Sequence, residues 1–317
     1  MALPIKPIIG ILSDNLRLRK SVFPLGKGRL TAWSKGLGIP PAGETVLYTG
    51  HMYQLMPYID SLEKGMARIA DTPIAKTMGA GRVANRVVNI SRFMAFPSKD
   101  LIREFDGYLR NIAQLLQKAG IQFGYLYGQE LYSGALIHDL GNNKVFYNHC
   151  MRLTEMFRKN KVRKVITVDP HTTEILKDVL PDHLEIEVKS YLEVLAGAQN
   201  QPPKLETGEP IAIHDSCIYA RGLDIIEGPR KLLNAAGIKT LYPEDSGKRT
   251  RCCGGPLESL FPEKAVVAAK ARMEQLDACG AKTISSMCPI CLLNLRKGVG
   301  QKNIRIEDIS QTLRIDN

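Results

Sequence analysis

Five cysteines in the last third of the chain have the residue type and spacing of a metal centre. A lone cysteine, an adjacent pair followed by glycine, and a C-P-x-C pair follow one another with 34 residues between groups, at Cys217, Cys252, Cys253, Cys288 and Cys291. A single metal ion prefers four ligands in a tetrahedron. Five thiolates, two of them neighbours on the chain, can each reach a different iron of a multinuclear iron–sulfur cluster. The pattern therefore favours a cluster.

Two other uses of these cysteines stay open. A structural zinc ion would take four thiols, and it would leave the fifth thiol and the adjacent pair unexplained. A regulatory vicinal disulfide is the weaker alternative. The remaining cysteines, Cys150 and Cys279, lie in helical stretches outside the motif, and we expect them to be small buried side chains.

Two glycines and a proline lie next to the cysteines in the sequence, where they would bring backbone groups close to a bound cluster. Gly254 and Gly255 would let the backbone approach inorganic sulfide closely, with N–H groups free to donate. We therefore expect both glycines to contribute to cofactor binding. Pro289 suits the first turn of a helix, whose N-terminus would add positive potential beside an anionic cluster.

Four polar side chains near the motif are candidates for catalysis. Three form a basic loop directly before the cysteine pair and the fourth is a histidine before Cys217; they are Lys248, Arg249, Arg251 and His214. The cations would lower thiol pKa values or attract an anionic substrate, and the histidine would orient the cluster or shuttle protons. A solvated turn and a hydrogen-bonded strand histidine are the alternatives.

The composition is typical of a globular protein, and we expect that it is not exported. Among 317 residues, 44% are hydrophobic and 24% are charged, which supports a substantial core in one or two domains. No run approaches the roughly 18 apolar residues of a membrane helix, and the first residues lack a secretory signal pattern. We expect a cytoplasmic protein, or one at the cytoplasmic face of the membrane, with reduced cysteines.

The chain is basic, with a formal net charge of +11. Such a charge suits nucleic acids, acidic protein partners or anionic substrates. The charge is scattered, and only 6% of the residues are aromatic, which is few for base stacking. We expect no nucleic-acid partner and leave open a peripheral contact with an anionic membrane surface.

Strands and helices alternate in the C-terminal third. The pattern predicts strands over 211–217, 238–242 and 282–287, and helices over 223–236 and 257–279. This alternation favours an α/β fold with a small, mainly parallel sheet flanked by helices. Each cysteine group follows a predicted strand. Because the carboxyl ends of parallel strands meet at one sheet edge, the five thiols are predicted to converge.

The same order of elements occurs earlier in the chain. Segments that begin at Leu115, Val165 and Glu185 resemble segments 117 to 119 residues further on. So constant an offset indicates an internal duplication into two pseudo-equivalent domains. The first-half counterparts of the five cysteines are not thiols; they are His51, Tyr132, Ser133, Asp169 and Thr172.

The first half is predicted to lack a cluster. His51, Asp169 and the nearby His171 leave open a zinc or iron site there, although a packed polar site is the preferred interpretation.

The repeat defines the predicted domain organisation. An extra stretch of roughly 49 residues separates the first strand of the first half from its next helix. It contains a basic, amphipathic segment over 78–94 with helical spacing. The predicted parts are an N-terminal arm (1–44), a degenerate domain (45–198) with its insert (about 57–109), a linker (199–210) and the cysteine-bearing domain (211–317).

The surroundings of the cysteines resemble the cysteine-rich CCG domain of iron–sulfur proteins in the heterodisulfide reductase family. The resemblance rests on Cys217 with the segment 214–221, on Cys252-Cys253-Gly254 and on Cys288-Pro289-Ile290-Cys291. It implies that all five cysteines hold a non-cubane [4Fe-4S] cluster. It also implies a ferredoxin-like iron–sulfur subunit and a flavoprotein subunit as partners, with the flavin on the partner, and an anionic thiol or disulfide as substrate.

One departure from that family changes the expected mechanism. In the family, two such domains each hold a cluster and together reduce a disulfide. The first half of this chain has no cysteine at the ligand positions. The paired-cluster mechanism therefore does not transfer intact.

Two functions are consistent with the sequence. The first is an iron–sulfur redox subunit of a multi-subunit, heterodisulfide-reductase-like oxidoreductase, which either acts on a substrate or relays electrons. No G-x-G-x-x-G fingerprint follows a predicted strand, so electrons would come from another polypeptide. The second is a non-catalytic assembly module, in which the basic arm and the insert serve docking.

Overall fold

The chain builds two four-stranded parallel sheets in the computed structural model. The structure describes residues 5–69, 82–83, 85–86, 95–179, 185–199, 209–258 and 260–313. The strands of this part of the chain are β1 (Thr45–Tyr48), β2 (Gly124–Tyr125), β3 (Lys164–Thr167), β4 (Glu187–Ser190), β5 (Ile211–His214), β6 (Thr240–Leu241), β7 (Thr283–Ser286) and β8 (Arg305–Asp308).

The two sheets have the same topology. The first has the order β2-β1-β3-β4 and the second the order β6-β5-β7-β8, and every strand pair is parallel. Thr45 of β1 lies opposite Lys164 of β3, and Ile211 of β5 lies opposite Thr283 of β7. The predicted α/β fold with two pseudo-equivalent halves is confirmed.

Helices flank both sheets and form most of the connections. The α-helices of the described residues are Ile5–Arg19, Lys27–Leu30, Met52–Ile69, Lys99–Lys118, Ala135–Asp139, Asn143–Lys159, Pro170–Glu174, Tyr191–Ala196, Glu227–Ala235, Pro262–Asp277, Pro289–Gly298 and Ile309–Thr312. Three shorter helical turns, Ile218–Gly222, Gly247–Arg249 and Gly255–Leu257, adjoin cysteines of the motif.

The central strands are buried on both faces, as a parallel sheet between helices requires. All four residues of β5 are buried, and β1, β3 and β7 each bury their last three residues. The apolar residues of these strands pack under the helices. Each central strand ends in a buried residue with a polar group, Tyr48, Thr167, His214 or Ser286, and the candidate site lies at this end of the second sheet.

Helix caps account for the differences between predicted and observed boundaries in the second half. The strand predicted over 211–217 ends at His214, because Cys217 begins a helical turn. The helix predicted over 257–279 begins at Pro262 and ends at Asp277. The prediction that Cys279 is buried in a helix is wrong, since it lies half-buried in the turn that follows, whereas Cys150 is buried in a helix as expected.

The predicted insert is described at its ends and at residues 82–83 and 85–86. Its first residues belong to the helix Met52–Ile69, and its last residues belong to the helix Lys99–Lys118. Most of the basic segment 78–94 lies outside the described residues. Its predicted helical character therefore stays a prediction.

The two halves contact each other through tyrosines at equivalent positions. Tyr53 of the first half donates a hydrogen bond to Asp308 Oδ2 of the second half at 2.6 Å. Tyr219 of the second half places its hydroxyl oxygen 3.3 Å from that of Thr173 in the first half. Tyr53 and Tyr219 occupy corresponding places after β1 and β5. Each tyrosine thus contacts the opposite half, but the partners differ in position, since Asp308 ends β8 and Thr173 lies in the helix after β3.

Replacing Tyr53 tests how much this contact contributes to stability. Tyr53→Phe leaves the buried Asp308 carboxyl without one of its hydrogen-bond donors, so we expect the free energy of unfolding to fall by about 1–3 kcal/mol. Tyr147→Phe, at an exposed tyrosine, is the matched control and should change it by less than about 0.5 kcal/mol. Urea unfolding followed by circular dichroism measures both, and equal effects would contradict the assignment.

A second stability prediction concerns Glu130, a buried carboxyl of the first half. Its Oε1 accepts hydrogen bonds from the Thr49 backbone N–H at 2.8 Å and from the Thr49 hydroxyl at 2.6 Å. Burial raises the pKa of Glu130 to about 8, although these hydrogen bonds favour the ionised form. The folded state therefore holds this proton more tightly than the unfolded state does.

The contribution of Glu130 to stability should be complete below the unfolded pKa of 4.5 and decline as the pH rises towards 8. Glu130→Gln should flatten the dependence of the free energy of unfolding on pH between about 5 and 8. The exposed Glu155→Gln should leave that dependence unchanged. A slope that survives Glu130→Gln would show that other groups cause it.

Candidate metal centre

All five motif cysteines line one cavity between the two halves. Its volume is about 380 Å³. The second-half wall also carries Ser216, Ile218 and Ile290, and the first-half wall is formed by His138, Asp139, His171 and Glu174. The structure thus brings together five thiols that are remote in the sequence, at the carboxyl end of the second sheet.

The cysteines are positioned by the segments that follow three neighbouring strands. Cys217 caps the helical turn after β5, and Cys252 and Cys253 follow the turn Gly247–Arg249. Cys288 is the N-cap residue of the helix Pro289–Gly298, which places Cys291 in its first turn and Pro289 at its start, as predicted. The helix N-terminus therefore adds positive potential at the thiols.

The sulfur atoms lie close together, and none of the five forms a disulfide. The Sγ atoms of Cys253 and Cys291 are 3.1 Å apart, and the Gly254 N–H donates to Cys252 Sγ at 3.3 Å. Cys253, Cys288 and Cys291 are buried, whereas Cys217 and Cys252 are half-buried at the mouth of the cavity.

Hydrogen bonds among the thiols separate their pKa values. Hydrogen bonds from Cys217 and Cys253 lower the pKa of Cys252, and the same contact with Cys252 raises the pKa of Cys217. Burial alone would raise the pKa of Cys288, but hydrogen bonds from Cys291 and His171 lower it to about 5. Thiolate is thus favoured at two of the five positions, and thiolate is the form that binds metal ions.

His214 is a buried histidine beside the thiols, held by Arg272. The buried Arg272 donates from Nε to His214 Nδ1 at 3.1 Å. Burial and the charge of Arg272 lower the pKa of His214 to about 3, so the ring is neutral. Its proton then lies on Nε2, which has no partner among the described residues. A ring nitrogen of His214 lies within 4.8 Å of the sulfur atoms of Cys253 and Cys291.

The basic loop does not reach the cavity. Lys248 pairs with Asp224 at 2.9 Å, Arg251 pairs with Asp245 at 2.8 Å, and Arg249 donates to the backbone carbonyl of residue 244. The side chains of Lys248 and Arg251 are largely exposed. None of the three cations lines the cavity, so their catalytic role stays a prediction from sequence position.

The equivalent site in the first half is filled by side chains. Gly134 and Gly254 share a left-handed backbone, with φ of 91° and 82°, as their places in the repeat require. A Cβ at Gly50 would clash with Thr172 Oγ1 and would lie 3.0 Å from Ser133 Cβ. Asp169 caps its own helix by accepting from the Thr172 N–H at 3.0 Å.

Two features of the site have no counterpart in the sequence motif. Arg272, behind His214, occupies a buried position of the helix Pro262–Asp277 between Ala269 and Leu276. A cation at an apolar helix position is the signal that would have identified it. The first-half wall of the cavity carries no such signal. The repeat points instead to His51, Asp169 and His171, whose ligand atoms do not come together as one group within the described residues.

Comparisons with known proteins agree with the cysteine pattern. Residues 211–296 match the CCG family, described as a cysteine-rich domain. The chain is 35% identical over 209 residues to a probable iron-sulfur-binding oxidoreductase, FadF, of Bacillus subtilis, which covers 64% of this chain and 29% of FadF. The residues that carry the cysteine motif therefore match a cysteine-rich CCG domain, in agreement with the resemblance.

Two further relatives are much longer than this chain as well. EtfAB:quinone oxidoreductase of Syntrophomonas wolfei is 29% identical over 220 residues, which are 64% of this chain and 31% of that protein. A probable membrane-anchored ferredoxin of Chromohalobacter salexigens is 25% identical over 219 residues, 64% of this chain and 32% of the relative. The chain spans about a third of the length of these relatives.

Within the described residues, no helix has both the length and the apolar character to cross a bilayer.

The geometry around Gly254 leads to a prediction about the site. At Gly254 a Cβ would lie 2.8 Å from the backbone oxygen of Ala265, whereas at Gly280, with a similar φ of 78°, nothing lies within 4 Å. A left-handed backbone costs a non-glycine residue about 1–2 kcal/mol at both positions. Only Gly254→Ala should add an overpacking cost, of about 1–3 kcal/mol.

Gly254→Ala should therefore lower both the free energy of unfolding and the metal content of the purified chain more than Gly280→Ala does. Urea unfolding and elemental analysis of the two variants measure this difference. Equal losses would show that the backbone conformation, and not the space beside the cysteine pair, requires glycine.

Proposed function

We propose that the five cysteines bind an iron–sulfur cluster and that the chain serves as a redox module of a larger oxidoreductase. The observation that supports this most directly is the single cavity lined by five thiols, none of them in a disulfide. A zinc ion would use only four of them. The names of the relatives FadF and the membrane-anchored ferredoxin support the same class of cofactor.

The residues of the cavity fit such a cluster. The donors are soft thiols, two of which favour the thiolate form. His214 Nε2 is a buried donor without a partner among the described residues, as expected of a group that donates to an inorganic or cysteine sulfur. The absence of a side chain at Gly255 also matters, because a Cβ there would clash with Ile290 and lie 3.4 Å from Cys253 Sγ.

We further propose that the cluster is a non-cubane [4Fe-4S] centre, with all five motif cysteines as ligands. A cubane of the same composition uses four thiolates, so a fifth ligand fits a more open arrangement of the irons. When bound, the cluster supplies reversible one-electron transfer. Gly254, His214 and the helix N-terminus at Cys288 orient and stabilise the sulfur ligands through hydrogen bonds and positive potential.

The surrounding assembly is proposed from the relatives. The name of the Syntrophomonas wolfei protein couples EtfAB to quinone, which supports a flavoprotein as electron donor, with the flavin on that partner. A ferredoxin-like iron–sulfur module would connect the donor to this cavity. The chain would act at the cytoplasmic side and would carry electrons to or from a thiol, a disulfide or another carrier.

Removing single cysteines tests the cluster. The chain reconstituted under anaerobic conditions should contain about four irons and four sulfides and show an electron paramagnetic resonance signal when oxidised. Cys253→Ser should lose most of the iron and the signal, because it removes a buried ligand. Cys150→Ser, at a buried helical cysteine outside the motif, is the matched control and should retain both.

The possible results separate the candidate functions. Stoichiometric zinc without sulfide would support the structural alternative and overturn the proposal, as would iron content unaffected by Cys253→Ser. If the cluster acts on a substrate, a thiol or disulfide should perturb its resonance spectrum. An unperturbed spectrum in a loaded chain would assign it to electron relay.

A further inference from the structure

The wall of the cavity that faces the cysteines carries four imidazole and carboxylate groups. His138 and Asp139 end the helix Ala135–Asp139, and His171 and Glu174 lie in the helix Pro170–Glu174. All four side chains line the same cavity as the five thiols. They belong to the first half of the chain and not to the cysteine motif.

Asp139 lies at the centre of this group. Its Oδ2 is 3.1 Å from His171 Nδ1, and its Oδ1 is 3.7 Å from His138 Nδ1. The ligand atoms of His138, Asp139 and Glu174 all lie within 4.8 Å of one another. Donors bound to one ion at about 2.1 Å lie roughly 3.4 Å apart, so small side-chain rotations would complete a coordination shell.

The histidines supply an independent indication of a ligand. His171 is 4% exposed, and its Nδ1 has no partner in hydrogen-bond geometry among the described residues. His138 Nδ1 is likewise buried without such a partner. Both nitrogens lie near Asp139 without hydrogen-bond geometry, and two imidazole nitrogens beside two carboxylates are a donor set that a cation satisfies.

We propose that His138, Asp139 and Glu174, with His171 as a fourth donor, bind one divalent first-row transition metal ion opposite the thiols. Nitrogen and oxygen donors suit Mn²⁺, Fe²⁺ or Zn²⁺, whereas the sulfur donors across the cavity suit a cluster. The site has nitrogen and oxygen donors whereas the cysteine motif has thiols, although His171 also forms a hydrogen bond with Cys288. It does not depend on the proposed iron–sulfur function.

Titration with Mn²⁺ tests the site, because this ion prefers oxygen and nitrogen donors and competes poorly for thiolates. The cluster-loaded full chain is titrated, and the loss of the free Mn²⁺ resonance signal measures binding. We expect one Mn²⁺ per chain. Glu174→Gln and His138→Ala should each weaken binding at least about tenfold. Glu155→Gln, at an exposed glutamate that does not line the cavity, should leave it unchanged.

A second titration tests whether Mn²⁺ binding is independent of cluster binding. The Cys252→Ser/Cys253→Ser double variant lacks the adjacent ligand pair, and it should bind Mn²⁺ with the same stoichiometry. Thermal unfolding of every variant verifies that the fold is retained. No binding to either chain, or binding that is equal in Glu174→Gln and Glu155→Gln, would overturn the proposal and leave the four groups as an ion-pair network.

Discussion

The approach of several sulfur atoms to one another at the end of a parallel sheet is the constraint on which the second half depends. Cys253 and Cys291 hold their sulfur atoms 3.1 Å apart in a buried position. The contact with Cys252 raises the pKa of Cys253, and the contact with Cys253 raises the pKa of Cys291, so thiolates can lie this close only where positive charge or hydrogen-bond donors surround them. The fold supplies these through the Gly254 N–H, the helix that begins after Cys288, and Arg272 behind His214.

The arrangement of elements could be predicted from the sequence because two independent signals agree. Strand–helix alternation indicated parallel sheets, and the repeat offset linked each strand of one half to a strand of the other. The observed sheets have identical order and parallel pairing. The predicted element boundaries differ from the observed ones at the strand that ends at His214 and at the helix that begins at Pro262. Turns limit both elements, and the spacing of apolar residues does not reveal such turns.

The site could be predicted only as far as it lies within one motif. The five cysteines share a sheet edge, so their position after strands indicated their convergence. The partners of Lys248 and Arg251 are acidic residues brought close by turns, and a charge pattern alone does not separate such local pairs from a substrate site. The wall of His138 and Asp139 belongs to the other half, and its place depends on how the halves pack.

The filled pocket of the first half has a consequence for how duplicated proteins of this kind diverge. Thr172 and Ser133 occupy the volume beside Gly50, and Asp169 is engaged in capping. Restoring one thiol there would place it beside Thr172, Ser133 and Asp169, none of which supplies a sulfur ligand. Regaining the cysteine ligands in the first half needs several simultaneous replacements. Their loss in one copy is therefore hard to reverse. The five cysteine ligands then persist in the other copy alone, while the altered copy is free to acquire different chemistry.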